Sequence, residues 1–252
     1  MKIGLFDSGI GGLTLLEEAL RQRPGSDYHF YADTDHVPYG LRSSEEILQF
    51  TDEAVDFLLN KGCECIVIAC NTATAVAAET IRAKYTLPIV GIEPAVKSAM
   101  EHHADKRVLV VATPVTIRGD RLHRLIDRFE DRDAVDLCPL PELVDMAERA
   151  DYAALPYLQN VLKDFEPELY SEIVLGCTHF NYFKDSFRRL FPKAEIVDGA
   201  EGTIRRMCSL LPSETCEESS VTFYRSGREI TDKASLSALW QRMHRLRHMR
   251  AL

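Results

Sequence analysis

Nine short apolar runs recur along the 252-residue chain, separated by segments of helical periodicity. This alternation limits the possible fold more than any other feature of the sequence. The runs cover 3–6, 28–32, 65–69, 88–92, 107–112, 134–137, 172–176, 195–197 and 221–224. Most are apolar at nearly every position instead of at every second one. A strand that reads this way is covered on both faces, as in a parallel sheet between helix layers. The stretch 43–62 illustrates the helices. Ser43 and Glu46 have capping-box spacing, Ile47, Phe50, Val55, Leu58 and Leu59 supply an apolar side, and Gly62 is a stop. The expected class is α/β with mainly parallel sheets.

Two runs end alike. Ile66-Val67-Ile68-Ala69-Cys70-Asn71-Thr72 and Ile173-Val174-Leu175-Gly176-Cys177-Thr178-His179 each lead apolar residues into a cysteine and then a polar turn. A weaker pair is Ile3-Gly4-Leu5-Phe6-Asp7-Ser8 with Leu109-Val110-Val111-Ala112-Thr113-Pro114. Cys70 and Cys177 lie 107 positions apart, and Asp7 and Thr113 lie 106 apart. Near-equal offsets predict a duplicated architecture of two similar α/β domains related by a pseudo-twofold axis, with the active site in the cleft between them. Chance likeness between buried strands is the competing explanation. The crossover is expected near Gly91–Pro94 and the return near Met207–Thr215. The first domain would then be discontinuous, residues 1–92 plus 210–252, around a second domain of 93–209.

Composition narrows the partners. With 39 acidic against 30 basic residues and a formal charge of −9, the molecule as a whole repels nucleic acid and anionic membranes. No apolar run approaches the roughly 20 residues of a membrane helix. The start, MKIGLFDSGIGG, lacks the pattern of a secretory signal. Seven cysteines (63, 65, 70, 138, 177, 208 and 216) are an odd number with no disulfide spacing, so reduced thiols and a cytoplasmic location are expected. The tail 241–250 carries Arg242, His244, Arg245, Arg247, His248 and Arg250 and reads as a solvated basic helix end, in preference to a nucleic-acid contact.

In open α/β sheets, ligands bind beyond the carboxyl ends of the strands. Asp7, Ser8, Asp33, Cys70, Asn71, Thr113, Thr116, Cys177, Thr178 and His179 all fall at or just past such ends. Two opposed domains would bring both cysteines to one cleft, each at a helix N-terminus, where a thiol ionises more readily. His179 could exchange a proton with Cys177, and Asp7 could stand in that relation to Cys70. A thiolate on one face of a carbon and a thiol on the other can remove and return a proton with inversion, without metal or organic cofactor. A buried cysteine is ordinarily a small core residue, and that role suits Cys63, Cys65, Cys138 and Cys208.

Two other readings compete. Cys63, Cys65 and Cys70 cluster, but no Cys-x-x-Cys or paired histidines accompany them, so no metal is expected. Gly9-Ile10-Gly11 followed by Asp33 resembles a dinucleotide fingerprint, yet position 14 is Thr and Gly12 follows Gly11 directly. A turn whose N–H groups hold a substrate carboxylate accounts for the same glycines. The connection 33–40 is long for its kind. Pro38 and Gly40 fix its path and offer Tyr39 and backbone N–H groups to a ligand. Asp33 either meets a substrate ammonium or caps the turn.

Phe6-Asp7-Ser8-Gly9-Ile10-Gly11-Gly12, Asp33 with Val37-Pro38-Tyr39-Gly40, Ala69-Cys70-Asn71-Thr72-Ala73 and Leu175-Gly176-Cys177-Thr178-His179-Phe180 together resemble the glutamate racemases of the wider aspartate/glutamate racemase family. The resemblance runs from Ile3 to about Arg206. It implies cofactor-independent interconversion of L- and D-glutamate, supply of D-glutamate for peptidoglycan, and a homodimer. Cys70 assisted by Asp7 and Cys177 assisted by His179 would be the catalytic groups. Asp7, Ser8, Pro38, Tyr39, Gly40, Cys70, Asn71, Thr72, Thr116, Cys177, Thr178 and His179 would line the substrate site. The chain departs from the family at Gly119 and Leu122, where Ser and Tyr are usual, and at Gly199, where Ser is usual. In Pro141-Glu142-Leu143-Val144-Asp145 the last residue stands where the family has a longer carboxylate. A racemase of aspartate or another acidic substrate, or a non-catalytic amino-acid-binding regulator, remains as an alternative.

Overall fold

A computed structural model describes residues 1–103, 105–213 and 218–251. Thr215 and Cys216 lie outside the described residues. All nine apolar runs form strands. The first part of the chain contains β1 (Lys2–Asp7), α1 (Leu13–Gln22), β2 (Asp27–Ala32), α2 (Ser44–Asn60), β3 (Cys65–Ile68), α3 (Asn71–Lys84) and β4 (Ile89–Gly91). The middle contains α4 (Val96–His102), β5 (Arg107–Ala112), α5 (Pro114–Arg118), α6 (Asp120–Ile126), β6 (Val135–Pro139), α7 (Glu142–Glu148), α8 (Leu155–Val161), β7 (Tyr170–Leu175), α9 (Lys184–Leu190), β8 (Glu195–Asp198) and α10 (Ala200–Leu210). The chain closes with β9 (Ser220–Arg225), a short β10 (Arg228–Glu229) and α11 (Lys233–Ala251).

Two sheets result. Six strands run β10-β9-β2-β1-β3-β4 and four run β6-β5-β7-β8. Every pairing is parallel except β9 with β10. The order β2-β1-β3-β4 recurs as β6-β5-β7-β8, so β1 corresponds to β5 and β3 to β7. These are the strand pairs whose endings match in sequence. Strands of the first sheet come from residues 2–91 and 220–229, and those of the second from 107–198.

Local chemistry explains the punctuation. Ser43 Oγ accepts from the Glu46 N–H at 3.2 Å, and the Glu46 carboxylate accepts from the Ser43 N–H at 2.9 Å. Such a cap contributes about 1 kcal/mol. Beyond the end of α2, Gly62 takes φ +84°, a conformation that side chains with a Cβ rarely adopt. The largest apolar cluster joins both halves, from Ile3, Leu16 and Val67 to Leu109, Phe187 and Leu246. A second lies between α2, α3 and the first sheet. Cys63, Cys65 and Cys138 are buried as expected, whereas Cys208 is only half-buried, and the six described cysteines are free thiols. Among the described residues, no helix is long and apolar enough to cross a membrane.

The basic tail corrects the sequence expectation. Leu239, Met243, Leu246 and Met249 of α11 are buried, and the helix packs on α1 and on the turn 178–183. Arg242 and Arg245 are half-buried and bonded into the body, while Arg247 and Arg250 keep the exposure expected of a basic helix end and are bonded as well. Arg247 donates to Glu17 at 2.7 Å, Arg250 to Glu18 at 3.3 Å, and Arg242 and Arg245 to backbone carbonyls. The charge pattern hid the buried apolar side of the helix because arginine stems can cover apolar surface while the heads reach partners.

Candidate active site

The parallel pairing of β1 with β3 puts Phe6 beside Ile68, so Asp7 and Ser8 leave one strand next to where Cys70 leaves the other. Cys70 caps α3, its Sγ accepting from the Ala73 N–H at 3.4 Å. Ser8 stands between the two candidate partners: its Oγ is 3.5 Å from Cys70 Sγ and donates to Asp7 Oδ1 at 3.1 Å. The expected Asp7 assistance to Cys70 is therefore through charge and through Ser8. Burial pushes the Cys70 thiol up to about 12, with the Asp7 carboxylate adding to the effect and bonds from Ser8 and Ala73 opposing it. Burial also raises Asp7, against the His179 charge and bonds from Thr178, Gly9 and Ser8.

On the opposite side, β7 runs into Cys177. The following segment, Thr178–Phe183, is a 3₁₀ turn and not the α-helix expected, so Cys177 lacks a side-chain cap bond. His179 Nδ1 lies 3.8 Å from Cys177 Sγ, and His179 Nε2 lies 2.7 Å from Glu148 Oε1. Burial opposes the imidazolium. Hydrogen bonds to Cys177 and Glu148 and their charges outweigh it and hold His179 well above the usual imidazole value. Glu148 also accepts from the Ile10 N–H at 2.8 Å. Burial raises its carboxyl, but the His179 bond and charge, the Ile10 bond and the Arg242 charge hold it below the usual range. Sequence reasoning missed Glu148. Asp145, noted in the sequence as standing where the family has a longer carboxylate, is exposed on the same helix.

Polar contacts join the two sides. Thr178 Oγ1 donates to Asp7 Oδ2 at 2.8 Å. Thr72 Oγ1 lies 2.9 Å from Thr113 Oγ1 and 3.4 Å from Thr116 Oγ1. The sulfurs sit at the edges of different apolar clusters. They are close enough that a charge on Cys177 raises the Cys70 pKa. The glycine turn has a different use from the one expected. A Cβ on Gly9 would overlap Glu148 Oε1, and one on Gly11 would lie 2.5 Å from both His179 Nδ1 and Thr178 Oγ1. With the Ile10 N–H bonded to Glu148, these glycines serve close approach of the two halves. Neither the dinucleotide fingerprint nor a carboxylate-binding turn is needed to account for them.

The loop 33–40 contains a cis peptide bond between Val37 and Pro38. Tyr39 is buried, and its hydroxyl donates to Asp33 Oδ2 at 2.7 Å. Asp33 also meets His36 Nδ1 at 2.8 Å and accepts from Ser226 Oγ at 2.9 Å. Asp33 thus ties the loop, which favours the turn-capping alternative over a substrate ammonium. Gly40 backs onto Thr113, so the loop touches the other half. Asn71 is buried with neither Nδ2 nor Oδ1 bonded to protein. A cavity of about 300 Å³ is lined by Asn71, Ile92, Pro94, Thr116, Arg121 and Leu122. A larger one of about 1050 Å³, beside α1, β4 and α10, is lined by neither cysteine and lies apart from this chemistry. Among the described residues, no group of His, Cys, Asp and Glu side chains fits a metal ion.

The fold and the site define a duplicated α/β enzyme whose polar residues gather where two sets of parallel strand ends meet. The sequence profile of the Asp/Glu/hydantoin racemase family matches residues 8–207. A glutamate racemase of Lachnospira eligens is 46% identical over 265 aligned positions, covering all of both chains. The crystal structure of glutamate racemase from Campylobacter jejuni superposes with a TM-score of 0.81 at 27% identity, covering 97% of this chain and 98% of that one. The Escherichia coli glutamate racemase, solved with L-glutamate and the activator UDP-MurNAc-ala, gives 0.81 at 26% identity, covering 96% and 94%. The chain belongs to the Asp/Glu/hydantoin racemase family.

Proposed function

We propose that the chain is a glutamate racemase that works by two-base proton transfer between Cys70 and Cys177. The observation that carries the reading is the Thr178–Asp7 bond of 2.8 Å, which joins the two cysteine-bearing strand ends while each sulfur keeps its own polar partner. The cleft in this proposal lies between residues 1–92 with 210–252 and residues 93–209. One sulfur, as thiolate, removes the α-proton of the bound amino acid. The other, as thiol, delivers its proton to the opposite face of the resulting carbanion. Each turnover leaves the two sulfurs with exchanged protonation, and proton exchange with solvent restores the starting state before the next turnover in the same direction. No organic cofactor or metal enters this cycle.

His179 Nδ1, 3.8 Å from Cys177 Sγ, is placed to exchange a proton with that sulfur, and burial favours the protonated form of Cys70, which suits it to deliver a proton. The unsatisfied amide of Asn71 costs about 1–3 kcal/mol per group in a buried site, which a substrate carboxylate accepting from Nδ2 and a substrate ammonium donating to Oδ1 would offset. Ser8, Thr72, Thr116 and Thr178 add hydroxyls around it. Pro38, Tyr39 and Gly40 would form the wall of the site. Family resemblance supports a cytoplasmic homodimer supplying D-glutamate for peptidoglycan, and the muramyl activator of the Escherichia coli enzyme agrees with that role.

The test is incubation of the purified chain with L-glutamate in D₂O, following optical rotation and α-deuterium uptake. Rotation is expected to decay to zero with deuterium in both enantiomers. Absence of exchange from either enantiomer across about pH 6 to 9, around the thiol range, would reject the reading. Faster turnover of aspartate than of glutamate would keep the mechanism and change the substrate.

A further inference from the structure

Helix α11 follows the edge strands of the first sheet, yet two of its arginines grip the segments that carry the Cys177 chemistry. Arg242 Nη1 donates to the Ala147 carbonyl and Arg242 Nη2 to the Glu148 carbonyl, both at 2.6 Å. These carbonyls end α7, where the Ala147 carbonyl also accepts from the Ala150 N–H at 3.0 Å and Arg242 supplies a further donor to it and one to the Glu148 carbonyl. A guanidinium fork matches two successive carbonyls, and its charge lies at the negative end of the helix. Glu148 is the residue whose carboxylate meets His179. Three positions along, Arg245 donates through Nε at 3.0 Å and Nη2 at 2.8 Å to the Tyr182 carbonyl. Tyr182 belongs to the same 3₁₀ segment as Thr178 and His179. The Arg245 guanidinium also lies 4.0 Å from the centre of the Tyr152 ring, which stacks on Tyr182.

We infer that Arg242 and Arg245 are positioning residues for proton transfer at Cys177, fixing Glu148 and the His179 turn from the neighbouring half of the molecule. Neither touches a reacting atom in this account. Arg242 fixes where α7 ends, and hence where the Glu148 carboxylate meets Nε2 of His179. Arg245 fixes the turn that presents Nδ1 of His179 to Cys177. The bonds of Arg242 and Arg245 go to α7 and to the segment 182–185, on the Cys177 side of the site, so the proton transfer at Cys177 depends on this strap more than the one at Cys70. The inference rests on the racemase reading.

The experiment uses the full chain and its Arg242→Gln and Arg242→Lys variants, with L- and D-glutamate and their α-deuterated forms. In Arg242→Gln, kcat is expected to fall about tenfold to a hundredfold, the scale of a misplacement near 1 Å. The isotope effect on kcat should grow for the enantiomer deprotonated at Cys177 and shrink for the other. Arg242→Lys keeps the charge and length and should recover part of the loss. Arg250→Gln removes a charge from the same helix without touching α7, and should keep the isotope effects of the unvaried chain. If Arg242→Gln does not fold, Arg245→Gln is expected to show the same asymmetry. A rate loss with isotope effects unchanged for both enantiomers would reveal a merely structural role and overturn the inference, as would an unchanged kcat. No turnover by the unvaried chain would reject the racemase reading itself, and this inference with it.

Discussion

Cys70 and Cys177 have different surroundings, one beside Asp7 and Ser8 and the other beside an imidazolium held by Glu148. A racemase nevertheless obeys a symmetry that its site lacks. Because the enantiomers are equal in energy in solution, any variant must change kcat/KM equally in both directions, and asymmetry can appear only in kcat and KM separately. Cys70→Ala and Cys177→Ala are each expected to abolish racemisation, since the two-base cycle loses a member. His179→Asn is expected to lower kcat about 10²- to 10⁴-fold, the range of a general acid–base group, more in one direction than in the other. Progress curves from each pure enantiomer check both, and full activity in either cysteine variant would end the two-cysteine mechanism. Cys70, Cys177, Asp7 and His179 could be singled out in the sequence because each sits at or within four residues of a strand end, a position that local pattern defines. Glu148 was not singled out, because its meeting with His179 depends on how α7 docks, and the only carboxylate the local motif drew attention to was Asp145, three residues earlier and nearly a turn away. Asp33 was ambiguous for the same reason: its partner Ser226 is 193 positions distant.

Strands were the most readable elements, since runs buried on both faces announce themselves by composition. The two-residue β10 was missed because Arg228 and Glu229 carry no strand pattern, and only the turn Ser226-Gly227, with φ of 42° and 79°, creates the pairing. Helix α11 was misread for the opposite reason. Its buried Leu239, Met243, Leu246 and Met249 recur at helical spacing, but the arginines between them dominated the reading. Strand β7 carries a feature that no pattern reveals. Glu172 pairs across the sheet with Glu195 of β8, and its Oε2 is buried without a partner. Burial, and then the Glu195 charge, push it up to about 7, while His102 and His103 pull the other way. A raised folded-state pKa means that the folded chain binds the proton more tightly. The stability this contributes is full at low pH and is lost as pH rises from the ordinary carboxyl range through about 7. Glu172→Gln has the shape without the charge. Its melting temperature is expected to exceed the parent's at about pH 8, with the gap closing towards about pH 4.5. Thermal unfolding followed by circular dichroism at both pH values measures this, and a gap independent of pH would show that the Glu172 charge is not responsible.

At the scale of the whole molecule, the duplicated strand order was foreshadowed by two offsets of 106 and 107 positions, but the distance between the halves was not. That distance is set by bonds that cross between the halves: Asp7 with Thr178, Ile10 with Glu148, Thr72 with Thr113. Gly9 and Gly11 make it possible by leaving no side chain in the way. Since a Cβ on Gly11 would also lie 2.7 Å from the His179 backbone nitrogen, rotating a side chain cannot relieve the overlap. The Gly11→Ala variant must therefore move one half against the other, or the 178–183 turn against its strand. Both movements separate His179 and Cys177 from Asp7 and Cys70 by a fraction of an ångström to about 1 Å, which costs on the order of a hundredfold in kcat where two groups must act on one carbon. Each half keeps its sheet and its apolar cluster, so the far-ultraviolet circular dichroism is expected to match the parent's while activity falls. Gly9→Ala meets the Glu148 carboxylate and the His179 ring, so it should lower activity by parting that pair without moving one half against the other. If Gly11→Ala turned over at the parental rate, the halves would not be held at this spacing during reaction, and proton transfer across their boundary would need another geometry.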